Sequence, residues 1–337
     1  MVPGRCLVER NSVTGKVAIL KATHNTWPWK LLLAVILIGG AAGTWGAVAK
    51  IDYQWRWNRV PQYFVYVAEE AQKTPFNGKV SSIVKKNGDA VVTVASGSQK
   101  VELTVTADSL KVTENEDIFS GDTVGFAKGW HLGPLMYGLW TTLWISAVSS
   151  VFGLIFGLVA GLARVSKNYT IRGLAITYVE FIRGTPLLVQ IFIAYFLLGT
   201  VFNLSRNVCG VGALSLFVGA YVAEIVRAGI QSISKGQTEA ARSLGMTKFQ
   251  TMWDVILPQA FKRILPPLAG TFISLIKDSS LVSVIAITDL TKSGREIITS
   301  TFATFEVWIL VAVMYLLVTS LLSQLVFYME RRLAVSD

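Results

Sequence analysis

Long stretches without a single charged residue constrain this chain more than any other feature. Residues 31–49, 132–163, 184–205, 207–223 and 307–329 contain no Asp, Glu, Lys or Arg, and 264–288 contains only Lys277 and Asp278. A helix needs about 20 mostly apolar residues to cross roughly 30 Å of hydrocarbon. Six spans result, and the fold class they imply is an all-α polytopic membrane protein with one small β insert. Composition agrees, since only 15% of residues are charged, against about a quarter in a soluble domain. The two cysteines, Cys6 and Cys209, cannot staple a chain of 337 residues, and the two histidines, His24 and His131, make a histidine metal site improbable.

Loop charges set the orientation, because short cytoplasmic loops are enriched in Lys and Arg. The N-terminal 30 residues carry Arg5, Arg10, Lys16, Lys21 and Lys30 against Glu9 alone; 164–172 carries Arg164, Lys167 and Arg172 with no acid. Between 227 and 263 six basic residues face Glu239 and Asp254, and Arg331 and Arg332 follow the last span. The opposite loops are close to neutral, with ten basic and ten acidic residues in 50–131. Both termini are therefore expected in the cytoplasm of a multi-pass membrane protein. The net charge of +10 becomes an orientation signal, with no nucleic-acid partner required.

This divides the chain into a cytoplasmic tail 1–30, a first span 31–49, an exported insert 50–131, a core 132–330 and a tail 331–337. Ala47-Val48-Ala49 has the small-x-small form of a signal-peptidase site, so 1–49 could instead be a cleaved signal. Within the insert a short helix is expected over 60–73. From Gly78 the alternation of Val80, Ile83, Val92, Val94, Val101, Leu103 and Val105, broken at Asn87-Gly88 and Ser96-Gly97, predicts a small antiparallel sheet or barrel over 78–127.

The basic loop 232–258 is the most informative segment. Ser234 can cap a helix over 237–244, Gly245 can take the left-handed conformation that ends one, and a second amphipathic stretch from Phe249 is expected to close at Pro258. Glu239-Ala240-Ala241, then Gly245, then Val255, Leu257 and Pro258 stand in the spacing of the "EAA" loop, and in this the chain resembles the membrane subunits of bacterial ABC importers. Further segments resemble the polar amino-acid (histidine, glutamate, glutamine, arginine, opine) branch: 139–143 (LWTTL), 183–190 (RGTPLLVQ), 220–227 (AYVAEIVR) and 277–281 (KDSSL). The resemblance implies a five-span, type I ABC importer-like core that works as a dimer with a second permease subunit. It also implies a soluble extracytoplasmic substrate-binding protein outside and two ATPase subunits inside. Residues Glu239, Ala240, Ala241, Gly245, Leu257 and Pro258 would then form the coupling helix that docks on the ATPase. The chain has no phosphate-binding G-x-x-x-x-G-K-[ST] loop, so no catalytic residue and no cofactor is expected in it; ATP and Mg would be bound by the partner. The extra N-terminal span and the β insert depart from the family's minimal pattern.

Charged residues at membrane depth are costly and tend to line pathways or pair with one another. Lys277, Asp278, Ser279 and Ser280 form such a run, and the first two supply both signs that a zwitterion would need. Adjacent helical residues point about 100° apart, so one of the two charges is expected to face the pathway and the other to pair across an interface, with structural salt-bridging the alternative. Gln190 is a further candidate for the pathway. Glu224 lies three positions before Arg227, and Glu180 three before Arg183, spacings that favour local ion pairs, with substrate contact by Glu224 or Arg183 the alternative. Gly153, Gly157 and Gly161 form a close-packing face. A membrane sensor or scaffold, or a permease for another small solute, are the competing readings. The mid-span polar run favours transport.

Overall fold

The computed structural model describes residues 27–51 and 53–334, preceded by two short paired strands, β1 (Val8–Arg10) and β2 (Val17–Ile19). The rest of the expected tails, 1–30 and 331–337, lies outside the described residues. The chain divides into a first unit ending at Trp55 and a second beginning at Arg56. In the first unit, α1 (Trp27–Ala49) is apolar on every side and buries none of its residues. A helix with this pattern calls for an apolar surround rather than a watery one.

The second unit begins with a 3₁₀ turn, Trp57–Arg59, and α2 (Val60–Phe64), which ends well short of the helix expected over 60–73. From Val65 the chain is strand β3 (Val65–Lys73), paired antiparallel with β8 (Thr123–Leu132) from Val65 opposite Leu132 onward. The β-branched and aromatic run Val65-Tyr66-Val67 suits a strand, and its partner lies far along the sequence. Between these strands, β4 (Gly78–Lys86), β5 (Asp89–Ser96), β6 (Gln99–Thr106) and β7 (Asp117–Ile118) form a four-stranded antiparallel sheet in the order β6-β5-β4-β7. Lys86 pairs with Asp89 across Asn87-Gly88, both at positive φ, the two-residue loop that matches the twist of a hairpin. Val80, Val92, Val94, Val105 and Val124 are wholly buried in the module's own core.

The module is pinned at its root. Gly133 N–H donates to the Phe64 carbonyl at 2.6 Å, and a side chain at Gly133 would collide with the Tyr63 backbone. Tyr63 is buried against Leu135, Leu290, Ile297 and Val307. The Arg56 backbone N–H donates to the buried Glu306 carboxylate, and its guanidinium donates to the Thr301 carbonyl.

Helices build the remainder. α3 (Pro134–Arg164) and α4 (Tyr169–Arg183) are followed by α5 (Leu187–Phe192), which runs through a π-helical stretch, Ile193–Gly199, into α6 (Thr200–Phe202). α7 (Arg206–Gln231) and α8 (Lys235–Ser243) come next. α9 (Lys248–Gln250) and a π-helical turn, Thr251–Ile256, lead into α10 (Leu257–Asp278), with a 3₁₀ tail, Ser279–Ile285. α11 (Leu290–Thr301) and α12 (Thr304–Ala334) complete the chain. Among the described residues five helices are long and apolar enough to span a membrane, or six if the bent pair α4 and α5–α6 counts as one span. The straight span expected over 184–205 is therefore the second limb of a broken helix, bent by 104° at Gly184–Pro186. Pro186 lacks the N–H that would continue the helix.

Small residues let α3 press against α7. A Cβ added at Gly161 would lie 2.7 Å from Val226 Cβ, and at Gly153 and Gly157 it would come closer still to Val218 and Val222. Gly157→Leu is therefore expected to cost about 1–3 kcal/mol by overpacking, read as a lower thermal midpoint in detergent. At the N-terminus of α11, buried Asp289 accepts from the Thr291 and Lys292 amides. Burial holds its carboxyl above the usual range, and those amides pull it back down.

Candidate functional site

Three features stand together in the second unit: a projecting helix, an ion cluster at the helix break and a cavity. The projection is α8, most of whose residues are exposed. Ser234 sits at its N-cap without a side-chain cap bond; the Gln237 N–H bonds to the Ser234 carbonyl instead. Gly245 ends the helix at φ +84°, a conformation that costs an L-residue with a Cβ about 1–2 kcal/mol. Of the expected coupling residues, Glu239 and Ala240 are exposed and Ala241 is buried. Leu257 and Pro258 open α10 and do not close a helix. Pro258 fails as a terminator because it stands in the first turn, where its missing N–H falls beside the π-helical turn. Thr247 and Gln250 form a reciprocal capping box just upstream. Phe249 and Trp253, one turn apart, stack with exposed rings 6.2 Å between centroids.

The break between α4 and α5 gathers charge from three helices. Glu224 of α7 accepts from Arg227 on its own helix and from Arg164 at the end of α3. Arg183 stands 4.0 Å from Glu224, and its guanidinium lies over the Tyr221 ring, 5.2 Å from the centroid. The local pairing expected between Glu180 and Arg183 is not made: Glu180 lies 3.8 Å from Arg164 instead. Helix spacing revealed the Glu224–Arg227 contact, but Arg164 was missed because it arrives from sixty residues away. Gln190, the candidate pathway residue, is buried and turned into the break. Its amide donates to the Ile182 carbonyl and to the carbonyl and hydroxyl of Thr185. It holds the bend closed and does not line the cavity.

A cavity of about 510 Å³ lies between α7 and α10, walled by Phe217, Val218 and Tyr221 on one side and by Pro267, Gly270, Thr271, Ser274, Leu275 and Asp278 on the other. Thr271 donates back to the Pro267 carbonyl at 2.9 Å. The polar run 277–280 is split by the helix. Asp278 lines the cavity, Lys277 is exposed and does not, Ser279 is buried with its hydroxyl on the Ile276 carbonyl, and Ser280 is half-buried. Adjacent helical residues point about 100° apart, and of the two charges only Asp278 lines the cavity. No cluster of His, Cys, Asp and Glu able to hold a metal occurs among the described residues.

Comparison with known proteins places these features. Residues 153–335 match the family described as "Binding-protein-dependent transport system inner membrane component". The chain is 44% identical over 174 residues to a probable glutamine ABC transporter permease protein of Bacillus subtilis (strain 168), covering 51% of this chain and 81% of that one. It is 46% identical over 175 residues to an L-cystine transport system permease protein of the same organism, covering 51% and 74%. Among solved structures, that of an amino acid ABC transporter with histidines superposes at a TM-score of 0.56 with 42% identity, over 59% of this chain and 94% of that chain. The family match excludes α1 and the whole β module and includes the break, the projecting α8 and the cavity. The chain belongs to the family of inner-membrane permease components of binding-protein-dependent ABC importers.

Proposed function

We propose that this protein is the translocation subunit of an importer for polar amino acids, working by alternating access and driven by ATP hydrolysis in a separate subunit. The observation that carries the reading is the cavity: Asp278 at the end of α10, Ser274, Thr271 and Tyr221 line space for a small polar solute. Its volume lies in the range of about 300–1,000 Å³ usual for small-molecule sites. The names of the glutamine and cystine permeases supply the solute class. Projecting α8 and the exposed Phe249–Trp253 pair give the ATPase a surface to grip, and movement there passes through the π-helical turn into α10, which walls the cavity.

Lys277 is the exposed charge in this set, and a cation at membrane depth facing lipid costs at least about 2.5 kcal/mol. Its side of α10 is exposed at this depth. That face meets the second permease subunit in the proposed dimer. In the same topology α1 is an additional span, the β module stands on the outer face where the substrate-binding protein docks, and both termini are cytoplasmic. Cysteines introduced at positions 97 and 245 are then labelled from opposite sides of sealed cells by an impermeant reagent; labelling of both from one side overturns the topology. Competition of a panel of amino acids against labelled L-glutamine in the reconstituted transporter identifies the solute, and absence of competition by any of them overturns the solute class.

A further inference from the structure

With Lys277 turned away from the cavity, the cationic group that would recognise an amino acid's carboxylate must come from elsewhere, and Arg183 is placed for it. Arg164 and Arg227 both donate hydrogen bonds to Glu224. Arg183 does not: at 4.0 Å it is beyond hydrogen-bond reach, and among the described residues its guanidinium makes no hydrogen bond. The carbonyls around it at the break are already engaged, Phe181 by the Thr185 hydroxyl and Ile182 and Thr185 by Gln190. The cluster holds three guanidiniums, Arg164, Arg183 and Arg227, against two carboxylates, Glu180 and Glu224. A guanidinium carries five donors, and no protein acceptor among the described residues takes those of Arg183. Arg183 is 38% exposed, so its donors remain open to a ligand. It is held in place by the face of Tyr221, and Tyr221 is a wall of the cavity.

We propose that Arg183 is an anion site at the inner end of the cavity, taking the carboxylate of the transported solute. The inference rests on the amino-acid import reading and on the topology that goes with it. Along α10 the cavity wall runs from Pro267 to Asp278, eleven residues or about 16 Å at 1.5 Å per residue. Tyr221 and Arg183 belong to the cytoplasmic end and Asp278 to the outer end. Asp278 meets the ammonium group on entry, and Arg183 meets the carboxylate as the solute moves inward. The planar guanidinium fork matches a carboxylate in bidentate fashion, which a lysine cannot do. The same chemistry would accept the phosphate of an inner-leaflet lipid; the contact with a cavity wall favours the solute.

The test measures equilibrium binding of L-glutamine and of its α-amide, which lacks the carboxylate, to the permease–ATPase complex in nanodiscs without the binding protein. The wild type is expected to prefer L-glutamine. Arg183→Gln is expected to reduce that preference roughly tenfold, equivalent to about 1.4 kcal/mol, and Arg183→Lys by less. Because the readout is a ratio between two probes, it survives a general loss of folded protein. An unchanged preference in Arg183→Gln overturns the site while wild-type binding keeps the transport reading intact. If Arg183→Gln alters only the response to added phosphatidylglycerol, the guanidinium serves lipid phosphate and the proposal is overturned. A wild-type complex that binds neither probe overturns the amino-acid reading and this site with it.

Discussion

Gly245→Val is expected to reduce ATP-driven uptake by roughly tenfold or more, the factor that each 1.36 kcal/mol contributes, while the chain remains inserted in the membrane. The structure makes the cause specific. Nothing lies within 4 Å of a Cβ built at Gly245, so no clash inside this chain is involved. The strain is in the backbone: at φ +84° a β-branched residue is a genuine outlier. Relief comes by unwinding the end of α8 and displacing exposed Leu244, together with the Arg242 guanidinium that donates to the Met246 carbonyl at 2.6 Å. A helix that docks on an ATPase would lose its shape without losing its place in the membrane. Normal uptake in this variant would remove α8 from the coupling path.

Glu224→Ala is the second large effect, acting on stability. The carboxylate is the meeting point of Arg164, Arg183 and Arg227, and removing it leaves three cations facing one another with only Glu180 nearby. Breaking a buried ion pair from one side costs about 3–5 kcal/mol; Glu224 is partly exposed, so a value at or below the lower end is expected. Thermal unfolding in detergent should show a clearly lower midpoint, and the double replacement Glu224→Leu with Arg164→Met should recover part of it, because the uncompensated charge goes as well. A single variant as stable as the wild type would mean that solvent or lipid, and not Glu224, balances these arginines.

The residues explain which parts of this architecture could be read in advance. Charge-free windows mark α3, α7 and α12 because their contacts are with lipid or with small apolar faces. α4 escaped notice because it is amphipathic: Arg172, Glu180 and Arg183 interrupt every long apolar window, yet Ala175, Val179 and Ile182 are buried. The hairpin at Asn87-Gly88 is local and therefore legible. β3 is not, since its partner β8 pairs Val65 with Leu132, and the intervening chain hides the register. Pro258 was misjudged because a proline near a helix start looks in sequence like one at a helix end. Lys277 and Asp278 show the limit most clearly. Their types announce a polar site within a span, but which one faces the cavity depends on how α10 is rotated against α7, a matter of tertiary packing. The convergence of Arg164 on Glu224 depends on packing in the same way, through the glycines of α3.

The proposed function requires that amino acids cross this chain only when a partner subunit hydrolyses ATP. It is tested most directly by measuring accumulation of labelled L-glutamine, or of the best competitor from the amino-acid panel, in proteoliposomes holding this chain, its ATPase and its binding protein. Accumulation above the outside concentration that requires hydrolysable ATP and is lost in Gly245→Val is the predicted result. Entry that only equilibrates, and does so equally with ATP and with a non-hydrolysable analogue, would contradict it.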